Sequence, residues 1–222
     1  KALAGQDPIS DLKEPATADE EALVGGTRDA VVLLKQAGVP TAELLPYSLP
    51  FGVLVAFFAK HPETAPRTRQ LMDYWFWRAT LSFKMQGDFS SIRNLYQRAV
   101  IADQHESSQA LLEAVPVYAE RLELQPAPTL KSAMGKVLAL TMIAAGPRDL
   151  ETGHALSVTA LLESHRAAQL FLPLARRPSS VGLVNAIFHP RLAPGRLRSA
   201  LRGASEDVLR SHLLPVPFEG AL

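Results

Sequence analysis

The 222-residue chain contains no cysteine. Disulfides, cysteine-rich zinc sites and thiol catalysis are thereby excluded, and the usage fits a reducing cytoplasm, the expected location. A long apolar run is missing as well. The longest uncharged stretch, Leu44 to Ala59, is interrupted by Pro46 and Pro50 and falls short of the ~20 residues that cross a bilayer, so it reads as a buried helix and no membrane role is expected. Lys1 to Glu21 is polar and acidic where the apolar part of a secretion signal would sit. Nor is there a glycine-rich phosphate loop, a Gly-x-Ser-x-Gly elbow, a His-Glu-x-x-His pair or a paired-carboxylate motif. Internal repeats and low-complexity tracts are not evident either. Without an initiator Met, the chain reads as a piece of a longer protein.

What remains is ordinary globular material. The chain is 47% hydrophobic and 20% charged, enough to bury a core. Its net charge of +1 averages two unlike ends. From Lys1 to Thr64, five Lys/Arg face nine Asp/Glu, a balance of −4; from His165 to Ser211, eight Arg face only Glu206 and Asp207, a balance of +6. A polyanion, if one is bound, belongs with the C-terminal third.

The pattern is helical over most of the length. Residues 1–16 read as a linker or frayed entry, with Gly5, Pro8 and Pro15. A helix begins near Thr17, which is placed to cap its first turn, and runs to a stop at Gly38; the Gly25-Gly26 pair is expected to weaken or split it. Apolar residues then predict helices from about Pro50 to Lys60, Pro66 to Leu81 and Asp88 onward, with helical texture from Leu111 to Tyr118. A nearly all-apolar helix from Thr129 to Ala145 reads as central to the core. Beyond Gly146, prolines and glycines chop the chain into short pieces. Val181 to Phe188 fits a strand or a helical turn equally, and a last helix spans Ser205 to Leu213 with Ser205 at its N-cap. The expected fold class is therefore mainly α: a helical bundle domain over 17–146, then a small irregular α+β domain over 147–222.

Four stretches, taken in order, resemble one family. They are Leu44-Leu45-Pro46-Tyr47 before an apolar helix ending Phe57-Phe58; Tyr74-Trp75-Phe76-Trp77-Arg78 running to Ser82 and Gly87; Gly146-Pro147-Arg148-Asp149-Leu150-Glu151-Thr152-Gly153; and Leu172-Pro173 followed by Val184-Asn185-Ala186-Ile187, with Leu209 to Pro215 at the end. The order is similar to the helical and C-terminal parts of GmrSD-type modification-dependent restriction proteins and their phage-defence relatives, over roughly Ala30 to Pro215. The resemblance implies that the C-terminal region is an HNH-like (ββα-metal) module, built in that family around a His-His-Ile-Phe-Pro motif and a later Asn.

Departures from the pattern matter. Lys84-Met85 stands where the family has Arg-Tyr, and the Asp-Gly-Gln-Gln-Arg domain that senses nucleotide has no counterpart in these residues. The His-His-Ile-Phe-Pro position reads Gln169-Leu170-Phe171-Leu172-Pro173. An HNH site uses one His as general base and another His or an acid to hold a divalent metal. Leu170 can do neither and Gln169 is a poor ligand, so these positions, with Asn185, are implied to be vestiges of a site.

Other residues admit two readings. His165, four positions before Gln169, is an exposed or capping histidine unless the register slips to make it a metal ligand; His189 and His212 lie at separations that form no metal signature. Asn185 is a site remnant or a turn asparagine. Tyr74 to Trp77 read as core packing ahead of base stacking. Arg148 and Asp149 read as a salt-bridged loop brace ahead of a site. Arg176, Arg177, Arg191, Arg196 and Arg198 either contact phosphates or pair with acids of residues 7–21 or of a missing domain.

The expected function is that of a C-terminal fragment of a GmrSD-like restriction or defence protein with an eroded nuclease site. It would bind DNA or act as a scaffold, without catalysis in this chain and without cofactor or metal, alongside a missing N-terminal domain of the same protein. The alternative is a helical protein-interaction module with no nucleic-acid role. A hydrolase with no visible motif ranks third.

Overall fold

A computed structural model describes residues 17–82, 89–115, 128–174, 182–190, 192 and 195–216. Among them the chain is mainly helical, with nine α-helices and a single two-stranded antiparallel sheet.

Helix α1 (Thr17–Gln36) runs unbroken through Gly25 and Gly26. The expected split does not occur, and the neighbouring helix α2 (Ser48–Lys60) gives the reason. A Cβ on Gly26 would lie 2.5 Å from the Val55 carbonyl oxygen and 2.6 Å from the Ala59 nitrogen. Glycine here permits a close helix crossing. Gly38, at φ +89, ends α1, and the Val39 N–H reaches the Leu34 carbonyl at 2.8 Å, the left-handed stop that the sequence signals. In α2, Val53, Leu54, Phe57 and Phe58 are fully buried, as its apolar composition dictates.

Helix α3 (Pro66–Leu81) starts with Pro66 in its first turn, where a missing N–H costs nothing. Trp75 and Phe76 are fully buried, while Tyr74 is 56% exposed. Trp77 is half-buried and its indole N–H donates to the Ala37 carbonyl at 3.1 Å, tying α3 to the end of α1. Helices α4 (Phe89–Ala99) and α5 (Gln104–Ala114) follow. Asp103 caps α5, its Oδ1 accepting from the N–H groups of His105 and Glu106 at 2.8 and 2.9 Å. The helical texture expected from Leu111 to Tyr118 holds to Ala114 and stops at Val115, whose backbone is extended; residues 116–118 lie outside the described residues.

Helix α6 (Ala133–Ala144) starts later than Thr129 because Thr129 to Ser132 form a turn. Ser132 Oγ caps the helix by accepting from the Gly135 N–H at 3.1 Å. Helix α6 packs on the 3-10 turn Ala42–Leu44 on one side, and on the 3-10 turn Leu183–Asn185 and strand β2 (Ala186–Phe188) on another. The Lys136 ammonium reaches the Leu45 carbonyl at 2.9 Å, and the Ala167 N–H donates to the Glu43 carboxylate at 3.0 Å.

After Gly146 come the loop 147–156, helix α7 (Val158–Ser164), strand β1 (Phe171–Pro173), β2, helix α8 (Arg196–Gly203) and helix α9 (Glu206–Ser211). Strands β1 and β2 pair antiparallel, Phe171 with Phe188 and Leu172 with Ile187. The open question over Val181 to Phe188 resolves both ways, as a helical turn followed by a strand. Helix α9 lies where a last helix was expected, with Ser205 at its N-cap position but no side-chain capping bond. Helices α7 and α8 carry no early signal in the sequence.

The larger apolar cluster runs from Ala30 to Phe188 and draws on both sides of residue 146. A smaller one gathers Leu150, Ile187, Ala200, Leu201, Val208 and Leu209. Among the described residues no helix is long and apolar enough to cross a membrane.

Candidate functional site

The order strand, strand, helix (β1, β2, α8) frames the positions singled out in the sequence. Leu170 immediately precedes β1, is fully buried in the larger cluster, and its carbonyl accepts from the His189 N–H at 2.8 Å. Gln169 is exposed, and its side-chain oxygen accepts from the Arg166 N–H at 3.1 Å. Asn185 ends the turn before β2, and its carbonyl accepts from the Leu174 N–H at 2.8 Å. His165 is the C-cap residue of α7, exposed, with Nδ1 2.9 Å from Ser164 Oγ and 3.3 Å from the Leu161 carbonyl. An apolar groove of about 420 Å³ opens beside the strands, bordered by Thr129, Lys131, Phe171 and Leu183 among others. None of the described residues lining it carries an imidazole or a carboxylate.

The histidines that do meet are His189 and His212, whose ring centroids lie 6.1 Å apart. Both are at most 3% exposed. The loop 147–156 supplies their surroundings, folded on itself by an Arg148–Ala155 bridge and by Gly153 at φ +71. Asp149 Oδ1 accepts from the N–H groups of Glu151 and Thr152 and from the Thr152 hydroxyl, at 2.8 to 3.0 Å. Burial raises the Asp149 carboxyl, yet these bonds outweigh it and hold the group below the usual carboxylate range. The Arg148 guanidinium donates to the Gly153 carbonyl at 3.1 Å. The loop brace is therefore built from hydrogen bonds, without an Arg148–Asp149 ion pair.

Two groups contend for His189 Nε2: the Leu150 N–H at 3.1 Å and Asp149 Oδ2 at 3.4 Å. The shorter contact comes from a donor fixed in the backbone, so Nε2 is the acceptor. The proton then sits on Nδ1, which donates to the Pro190 carbonyl at 2.6 Å. His212 Nε2 donates to the Arg148 carbonyl at 2.7 Å, while its Nδ1 is buried with no hydrogen-bond partner. Burial pushes the His212 imidazole below the ordinary histidine range; His189 adds to this, and the Arg148 carbonyl and Asp149 oppose it. Ser211 Oγ, accepting from the Arg148 N–H at 3.1 Å, completes the attachment of α9 to the loop. Separations of 23 and 40 residues in sequence gave no sign of this meeting. Among the described residues no group of three or more His, Asp or Glu is placed to hold a metal ion.

Helix α8 presents the described part of the arginine-rich end. Ala200 and Leu201 are buried, and Arg196, Arg198 and Arg202 are exposed. Arg196 is engaged by Glu151 at 2.8 Å. Arg176, Arg177 and Arg191 lie outside the described residues.

One serine–histidine contact invites comparison with a hydrolase. His61 Nε2 lies 3.3 Å from Ser107 Oγ. Ser107 is fully buried, however, and its hydroxyl also lies 3.2 Å from the Ile101 carbonyl. With Asp103 Oδ1 capping α5, the arrangement is packing and not a triad.

Comparison with protein-family models, curated proteins and solved structures returns no significant match for this chain.

Proposed function

We propose that this chain is the helical and C-terminal part of a GmrSD-like restriction or defence protein whose nuclease site has been lost, and that its remaining role is to hold DNA by the backbone or to scaffold. The observation that carries the loss is Leu170. At the position the resemblance gives to the general base, an apolar side chain sits fully buried in the core. It offers neither a proton acceptor nor a metal ligand. The strand, strand, helix order around it supports an HNH-like ancestry.

Backbone binding rests on α8. Arg198 and Arg202 lie four positions apart and so stand one turn apart on the exposed side of the helix. Exposed guanidiniums in such a row suit phosphates and carry no base readout. The test is a salt series of fluorescence anisotropy on labelled duplex, together with a cleavage assay in Mg²⁺, Mn²⁺ and Ni²⁺. No cleavage is expected. Log affinity should fall linearly with log salt, and Arg198→Ala with Arg202→Ala should flatten the slope by about 2, from roughly 0.9 per phosphate. Metal-dependent cleavage that His165→Ala abolishes would overturn the lost-site reading. Absence of binding at low salt would favour a protein-interaction module, a second reading supported by the exposed Leu23, Val24, Val31 and Val32 on α1.

A further inference from the structure

The end of α9 carries a feature the functional reading does not use. Leu213 adopts φ +58, the left-handed conformation, although it is not glycine, and its side chain is 53% exposed. A branched residue holds that conformation only where its surroundings impose it. On one side the imposing contact is His212 Nε2 to the Arg148 carbonyl. On the other, the Leu213 and Leu214 N–H groups close back on the carbonyls of Arg210 and Leu209 at 2.9 and 3.1 Å. The turn is thus fastened to the loop 147–156 through an imidazole that has a buried, unpartnered Nδ1.

We propose that the contact between His212 and Arg148 is an acid-labile clasp, whose protonation frees the end of α9 and the Leu213 turn from the loop 147–156 while the helical core stays folded. Adding a proton to Nδ1 creates a buried donor with no acceptor and a charge with little solvent. The groups facing the ring are few. His189, at the end of β2, opposes a positive charge there, and Asp149 in the loop favours one; burial outweighs Asp149, and the net direction is toward the neutral ring. Glu206, Asp207 and Arg210 of α9 itself are exposed, and on α8 Arg196 is held by Glu151 at the surface. Release also relaxes the strained Leu213 backbone, so strain and charge act in the same direction.

Hydrogen exchange of the whole chain at pH 7.5 and pH 5, corrected for intrinsic exchange chemistry, tests this. The Leu150 N–H, which donates to His189, and the Leu214 N–H report the two sides of the clasp. Their protection should fall at pH 5 at least tenfold more than that of the α2 amides, which follow only the global stability. His212→Gln retains a donor for the Arg148 carbonyl but does not titrate, and should abolish the effect. Equal loss in α2, no loss at pH 5, or an undiminished loss in His212→Gln would each overturn the proposal. Should that variant fail to fold, the wild-type chain decides alone. The midpoint of the His212 imidazole titration by NMR must then coincide with the midpoint of lost protection, and separate midpoints would refute the clasp.

Discussion

Neighbouring residues on α3 carry opposite burdens. Trp75 is fully buried, and its indole N–H has no hydrogen-bond partner, so it acts purely by volume and apolar contact. Trp75→Ala should cost ~3–5 kcal/mol in urea unfolding, as for buried aromatics in general. Tyr74→Ala, one position earlier and exposed, should stay within ~0.5 kcal/mol. Similar losses for the two would contradict this assignment of faces. Leu213 offers the reverse case. Replacing it by Gly removes a left-handed penalty of ~1–2 kcal/mol, offset in part by glycine's freedom in the unfolded chain. A net gain in unfolding free energy is expected, and a loss would show that the side chain contributes more than its exposure suggests. At this scale the sequence was informative wherever the cause is local. The aromatic string read as core packing, and Trp75, Phe76 and half-buried Trp77 lie in or against the larger cluster. The meeting of His189 with His212 was illegible because chain reversal through α8 and α9 creates it, and no spacing encodes that.

Helix ends show the same division. Pro66 and Gly38 mark a start and a stop by steric rules that act within one turn, and both marks are used in the structure, whereas the start expected at Thr129 moves to the Ser132 cap because a turn precedes it. Helix α8 is not legible in the sequence because its inward face is only half-buried Leu197 with buried Ala200 and Leu201, after a Pro194-Gly195 pair that reads as a break. The sheet is not legible in the sequence because three-residue strands are too short for periodicity. Gly25 and Gly26 looked alike in sequence, and only the packing of α2 separates them. Gly25→Ala meets nothing within 4 Å and should stabilise by up to ~1 kcal/mol through helix propensity. Gly26→Ala would drive a methyl group into the backbone of α2 and should cost ~1–3 kcal/mol despite the same propensity gain. Thermal melts of the two single variants check this, and shifts of the same sign would refute the close crossing.

For the molecule as a whole, acidity provides a measure of the polar contacts. Burial lowers both His61 and His212. Below the ordinary histidine value of ~6.5 the unfolded chain takes up protons that these folded imidazoles resist, so stability falls as pH drops. Asp149 is depressed, and its contribution is lost only at lower pH, as the carboxylate range near ~4 is crossed. The urea midpoint should therefore decline from pH 7 to pH 5 and decline further below it; a midpoint that rises on acidification would contradict the assignment. The shared core has a consequence for how the protein is made. Helix α6 contacts both the turn at Ala42–Leu44 and strand β2. A ribosome that has finished α6 still has to add the residues up to Phe188, which takes about 2–9 s at ~5–20 residues per second. Through that interval Leu140 and Met142, both buried in the finished protein, belong to a helix with part of its packing still missing. Nascent chains arrested with α6 just clear of the ribosomal exit tunnel should accordingly be captured by chaperones that bind apolar segments, and chains arrested with α9 well clear of it should escape them.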